Sequence, residues 1–147
     1  MSCTPPRLYG QRRISASASP SLRLKLARAR LALLEGEPWR AERILRETER
    51  GQLKSWRAAV LLTDALIAQG QPEEALYWLR LPTFRALDLP ETLGAEIRAL
   101  QAAGRADEAA PILQRAAALY PAHPAIRAAL TRSSAAASRY PRRTTTR

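Results

Sequence analysis

Apolar residues recur at helical spacing through most of this chain. Leu22, Leu26, Ala29 and Leu33 would share one face of a first helix, which ends where Gly36 follows Glu35. Similar apolar stripes follow, separated by glycine and proline. The pattern predicts seven helices, at about 21–35, 38–50, 56–69, 72–80, 90–104, 107–120 and 125–136. Pro82 should end the fourth helix early and leave residues 81–89 as an irregular connection.

The residues at the turns between these helices repeat with a fixed period. Glycines stand 34 residues apart, an alanine follows each glycine by five residues, and a leucine follows each alanine by four. The three sets are Gly36, Gly70 and Gly104; Ala41, Ala75 and Ala109; and Leu45, Leu79 and Leu113. Small residues and leucines at such positions let paired helices pack closely, so we expect these nine residues to hold repeating helix pairs together.

The repeated residues resemble the tetratricopeptide repeat family, in which each 34-residue unit is a pair of antiparallel helices and successive units stack into a superhelix. Ala116 and Pro121 also match the end of a unit. Where the family prefers a large residue followed by a small one in the first helix, this chain has Arg28-Ala29, Leu62-Thr63 and Glu96-Ile97. The resemblance implies an all-α fold, an α-solenoid of about three helix pairs over residues 21–137 with the seventh helix as a cap.

In this family the first helices of the units line a concave groove that takes an extended peptide or a helix of a partner. Counting back fourteen residues from each turn glycine aligns the units on Leu22, Trp56 and Pro90. This alignment assigns the groove positions of the family mainly to eight residues: Arg23, Leu26, Arg30, Arg57, Val60, Asp64, Arg98 and Gln101. Leu33, Ile67, Glu91 and Gly94 complete the lining, and Arg132 takes an equivalent place on the last helix.

Arginines at the corners of an apolar groove favour a carboxylate-bearing ligand, because a guanidinium holds a carboxylate through two charge-assisted hydrogen bonds. We therefore expect an acidic peptide or amphipathic helix of a protein partner, anchored by Arg23, Arg30, Arg57 and Arg98. The alternative is that these arginines are merely solvated. Such a protein would serve as a scaffold, adaptor or chaperone.

Charge distribution suggests a rival function. The net charge is +11, but residues 1–20 and 133–147 contain basic side chains and no acidic one. We expect both ends, 1–20 and 138–147, to be disordered and basic. Arginine-rich tails of this kind grip phosphates, so association with nucleic acid is the competing interpretation.

Other classes of function have little support in the sequence. His123 is the single histidine and Cys3 the single cysteine, so we expect no metal site, no cofactor and no disulfide. No phosphate-binding glycine loop or nucleophile-base arrangement appears, which argues against an enzyme. The apolar runs are too short to cross a membrane. A cytoplasmic protein is expected, with nucleus and mitochondrion as alternatives. This chain lacks the recurring polar pairs by which proteins of the pentatricopeptide class recognise RNA bases, which argues against that class. The repeated glycines and prolines exclude a coiled coil.

Overall fold

Glycine and proline set the ends of the helices in the structure, a computed structural model that describes residues 20–49, 54–85 and 88–139. Within these ranges there are eight helices and no strand, which confirms the all-α prediction. The helices are α1 (Pro20–Leu34), α2 (Pro38–Glu49), α3 (Trp56–Ala68), α4 (Pro72–Leu79), α5 (Pro82–Arg85), α6 (Pro90–Ala102), α7 (Ala106–Leu119) and α8 (Pro124–Arg139).

The three repeated glycines close α1, α3 and α6 in the same way. Gly36, Gly70 and Gly104 have φ of +76°, +74° and +74°, a left-handed conformation that other residues adopt only with strain. In each turn the residue after the glycine donates its backbone N–H to the carbonyl five residues earlier, at 2.8 Å. This repeated hydrogen bond is the Schellman motif, which satisfies a carbonyl that the end of the helix would leave unpaired.

The repeated alanines and leucines lie in the hydrophobic core. Ala41, Ala75 and Leu45 have no exposed surface, and Ala109, Leu79 and Leu113 are at most 7% exposed. A small alanine facing a neighbouring helix lets the two backbones approach, while the leucine one turn later fills the space between them. The recurrence in sequence is therefore a recurrence of the same buried positions.

The order of packing follows the order of the chain. α1 packs on α2, α3 on α4, and α6 on α7. The first helix of each pair also contacts the first helix of the next, since α1 packs on α3, α3 on α6, and α6 on α8. α2 packs against α3, and α4 against α6. The first helices and α8 thus form a continuous row.

Three local expectations need correction or refinement. The segment predicted to be irregular contains the short helix α5, because Phe84 is drawn into the core, where it is 2% exposed. α1 already begins at Pro20, and α8 runs to Arg139, two residues beyond the predicted domain end. The remaining predictions for both ends, at residues 1–19 and 140–147, lie outside the described residues.

Candidate partner-binding groove

The predicted groove residues lie on α1, α3 and α6, the row of first helices that contact one another in sequence. Arg23, Arg30 and Arg57 are exposed. Val60, Asp64, Arg98 and Gln101 are half-buried, and Leu26 is 8% exposed and belongs to the core. Leu26 can therefore support the surface from beneath but offers little area to a ligand.

Arg98 already has a carboxylate partner within the chain. Its Nη2 donates to Asp64 Oδ1 at 2.7 Å, and its Nε donates to the same oxygen at 3.2 Å. The two residues are 34 positions apart and occupy the same place on α3 and α6. The pair ties the two helices together across the candidate groove, and Arg98 is not a free anchor for a ligand.

Arg23 and Arg30 are in a different situation. Helix α1 has no acidic residue, and neither arginine has an ion-pair partner among the described residues. Their positive charge at the edge of the candidate groove is therefore uncompensated locally. This is the electrostatic condition under which an added carboxylate gains most.

Arg57 and Trp56 form a stacked pair at the start of α3. The guanidinium carbon of Arg57 lies 4.5 Å from the centroid of the indole ring, within the range of a cation–π contact. Trp56 is half-buried and packs against the core. The ring therefore positions the exposed arginine side chain at the start of α3.

Two contacts fix α8 beside α6. A Cβ on Gly94 would lie 3.2 Å from the Cβ of Ala125, so the glycine allows the start of α8 to approach closely. Glu91 Oε1 lies 3.6 Å from Nε2 of His123, while Nδ1 of His123 accepts a hydrogen bond from the backbone N–H of Ala125 at 3.3 Å. His123 therefore helps to shape the turn before α8.

The second helices carry ion pairs that the sequence did not reveal. Arg46 donates to Glu42 at 2.7 Å and also to Glu74 on the neighbouring α4. Arg105 joins Glu73 at 2.9 Å and Glu108 at 2.6 Å. The two glutamates at the start of α4, Glu73 and Glu74, therefore pair with arginines outside α4. The spacing of Glu42 and Arg46 was readable as an i,i+4 pair, but the links between helices were not.

Glu42 is the most enclosed of these carboxylates. Partial burial by itself favours the neutral form, but hydrogen bonds from Gln69, at 2.7 Å, and from Arg46 outweigh it, and the pKa of Glu42 is lowered. The charged carboxylate therefore holds α2 to the end of α3.

A second concavity of about 470 Å³ lies among α4, α5, α6 and α7. Its charged residues are already paired, Arg80 with Glu96 at 3.3 Å and Arg115 with Asp88. Tyr120 also donates its hydroxyl to the backbone carbonyl of Asp88 at 2.8 Å. These contacts secure α7 against the connection before α6 and leave no free charge for a ligand.

Other kinds of site find no support in the part of the chain that the structure describes. There, no group of three or more histidine, cysteine or acidic side chains is placed to hold a metal ion. Nor does any described helix have the length and apolarity that a membrane span requires. Profiles of known protein families, curated proteins and solved structures were each compared with the chain, and none of them matches it.

Proposed function

We propose that this chain is a tetratricopeptide-like solenoid that acts as a non-catalytic adaptor or chaperone, holding an acidic segment of a protein partner against α1, α3 and α6. The architecture is supported by the identical glycine turns, by the repeated buried alanines and leucines, and by the contacts that join the first helices in chain order. Stacked helix pairs of this type present an extended surface.

The observation that carries the proposed ligand chemistry is the contrast between paired and unpaired arginines. Arg98 is neutralised by Asp64, whereas Arg23 and Arg30 stand exposed on a helix that has no carboxylate. The carboxylates of a ligand with two acidic side chains would pair with Arg23 and Arg30, as Asp64 pairs with Arg98. The anchors of the proposal are therefore Arg23 and Arg30, and Arg98 has a structural role.

The apolar positions between the arginines set a second requirement. Leu33, Val60 and Ile67 are half-buried and pack against the core, so each offers only part of its side chain to a ligand. Burying those parts would contribute through the hydrophobic effect, at about 25 cal/mol per Å². The preferred segment thus combines acidic residues with a few apolar ones, as an amphipathic helix does.

Affinity purification with a matched pair of variants tests the proposal. The full chain, the groove variant Arg23→Gln/Arg30→Gln and the control variant Arg115→Gln/Arg127→Gln are used as baits in extracts of the native cell. Both variants lose two exposed positive charges, but only the first loses them at the groove. We expect a protein partner to be retained by the native chain and the control, and to be lost or reduced about tenfold or more with the groove variant.

Circular dichroism first establishes that all three proteins fold. A partner recovered equally by the groove variant would contradict the proposal, and equal loss from both variants would indicate that total charge, not the groove, governs binding. Recovery that disappears after nuclease treatment would favour the competing function, in which the basic ends of the chain bind nucleic acid.

A further inference from the structure

Helix α1 leaves leucines exposed roughly a quarter turn around the helix from the groove arginines. Leu24 and Leu31 are each 54% exposed, and their seven-residue separation places them on the same face of the helix. Lys25 and Arg28 lie beside them and are also exposed. We refer to Leu24, Lys25, Arg28 and Leu31 as the α1 face.

The corresponding positions in the next two units are covered by other helices. In α3, Ala58, Ala59, Leu62 and Ala65 are at most 1% exposed. In α6, Thr92, Leu93 and Ala99 are at most 7% exposed. α3 has α1 and α2 packed against it, and α6 has α3 and α4, whereas among the described residues no helix pair precedes α1. The α1 face therefore occupies the position that a preceding helix pair covers in the later units, and its leucines are exposed.

The open surface is concave. A groove of about 530 Å³ runs between α1 and α2 and is lined by Lys25, Arg28 and Leu31 on one side and by α2 on the other. The groove is also lined by two carboxylates: Glu35 lies 3.6 Å from Nη1 of Arg40, and Glu47 lies 4.0 Å from Nε of Arg43. The acidic side chains are thus matched by arginines of α2, while Lys25 and Arg28 have no ion-pair partner among the described residues.

The third unit shows what the position of Arg28 contacts when a helix is present. Its equivalent is Glu96, which accepts a hydrogen bond from Arg80, just after α4, at 3.3 Å. The preceding helix therefore supplies a charge opposite to that of the receiving helix. With Arg28 at this position the sign is reversed, and the complementary helix must provide a carboxylate.

Segments of this chain are poor candidates for that helix. Residues 1–19 contain arginines and no acidic residue. In a second copy, the other exposed leucines of the described residues are Leu34, Leu119 and Leu130. Among them only Leu34 has an acidic residue three or four positions away in the sequence, and that residue, Glu37, is already paired with Arg40 at 2.8 Å. Two α1 faces placed together would bring like charges into contact, which is unfavourable.

We propose that the α1 face and the adjoining groove bind an acidic amphipathic helix of a partner protein, in the manner in which α4 packs on α6. Leu24 and Leu31 would contact the apolar stripe of that helix, and Lys25 and Arg28 would pair with its flanking carboxylates. This surface is separate from the groove arginines Arg23 and Arg30, and its test is independent of the proposed function.

The test uses two synthetic helical peptides of about 20 residues, long enough to form a helix when bound. Both carry leucines at i, i+3, i+4 and i+7 spacing. One has glutamates on the flanks of this stripe and the other has lysines. Fluorescence anisotropy measures the affinity of each peptide for the full chain, for Leu24→Ser/Leu31→Ser, for Lys25→Glu/Arg28→Glu and for the control Arg127→Glu. Thermal unfolding confirms that each protein is folded.

We expect the native chain to bind the glutamate peptide about tenfold or more tightly than the lysine peptide. The serine variant should lose binding about tenfold, the charge-reversed variant should prefer the lysine peptide, and the control should resemble the native chain. Reversal of peptide preference by two substitutions is an effect that loss of folding cannot produce.

Several results would overturn the inference. Binding unchanged in the serine variant but lost in Arg23→Gln/Arg30→Gln would place the peptide in the other groove. Binding to vesicles that contain phosphatidylserine, lost in the serine variant and without any peptide preference, would assign the face to a membrane surface. Self-association abolished by the serine variant, measured by light scattering, would assign it to a second copy, and absence of binding by either peptide would refute the docking surface.

Discussion

The carboxylate of Asp64 decides the role of Arg98. It accepts both hydrogen bonds that Arg98 donates, and the two side chains are 39% and 25% exposed. The coupling free energy of this partly exposed ion pair should be about 0.5–1 kcal/mol, since solvent still screens part of the attraction between the two charges. A double-mutant cycle with Asp64→Asn, Arg98→Gln and the double variant, measured by urea unfolding, gives this coupling.

The pair of Arg43 and Glu47 provides the matched comparison. Its nitrogen and oxygen lie 4.0 Å apart and both side chains are at least 63% exposed. The same cycle there should give a coupling near zero. Equal couplings for the two pairs would mean that Asp64 does not hold Arg98, and Arg98 would return to the list of ligand anchors.

Glu42 should make stability depend on pH in the acidic range. Its pKa in the folded chain is lowered, so the folded state favours the ionised form more than the unfolded state does. This contribution is present above the ordinary pKa of a glutamate and is lost as the pH falls through the lower pKa of the folded state. Glu42→Gln should therefore cost about 1 kcal/mol at pH 7 and progressively less below pH of about 4.

Urea unfolding between neutral and acidic pH measures this difference. Glu47→Gln removes the same charge from an exposed site on the same helix and serves as the control. A cost for Glu42→Gln that stays constant as the pH falls would show that the carboxylate contributes by shape and not by charge.

At the scale of the elements, the turns were readable from the sequence because their causes are local. Proline at the first position of a helix and glycine after its last residue act within a few residues, so the starts of α2, α4 and α6 were predicted at Pro38, Pro72 and Pro90. Helix α5 was missed because its cause is distant: Phe84 has a place in the core only when the neighbouring helices create one. Asp64 and Arg98 could be seen from the sequence to occupy the same position in successive repeats. Only the structure shows that they form an ion pair, which leaves Arg98 unavailable as an anchor for a ligand.

Gly70 gives a test of the turn. Nothing lies within 4 Å of a Cβ built at this position, so Gly70→Ala introduces no clash and changes only the cost of the left-handed conformation. We expect a loss of about 1 kcal/mol in the free energy of unfolding. Gly70→Asn should lose less, since asparagine adopts this conformation more readily. Equal stability of all three proteins in urea unfolding would show that the turn can relax to another conformation.

Phe84 gives a test of the missed helix. The side chain is 2% exposed, so Phe84→Ala should leave a cavity and cost about 3 kcal/mol or more. Thr83→Ala, at the exposed neighbouring position, should change stability by less than about 0.5 kcal/mol. Similar unfolding free energies for the two variants would mean that α5 does not belong to the cooperative core.

Over the whole molecule, positive charge is concentrated where acidic partners are lacking. The second helices carry both signs and pair them, as Arg46 and Arg105 do with two carboxylates each. α1 contains four cations and no acid, and the sequences before and after the described residues contain arginines and no acid. The two proposed binding surfaces and the basic ends therefore compete for the same class of anionic ligand, and removal of the ends separates them.

Deleting residues 1–19 and 140–147 removes the six arginines Arg7, Arg12, Arg13, Arg142, Arg143 and Arg147 while leaving α1 to α8 intact. If those arginines bind single-stranded RNA, the logarithm of the RNA affinity of the full chain should fall linearly with the logarithm of the salt concentration, with a slope of up to about −4. The RNA affinity of the shortened chain should lose most of this salt dependence. Binding of a protein partner through Arg23 and Arg30 should survive the deletion. RNA affinity that persists without the ends, and falls instead in Arg23→Gln/Arg30→Gln, would mean that the arginines of α1 bind phosphates, and the groove would then be a nucleic-acid surface.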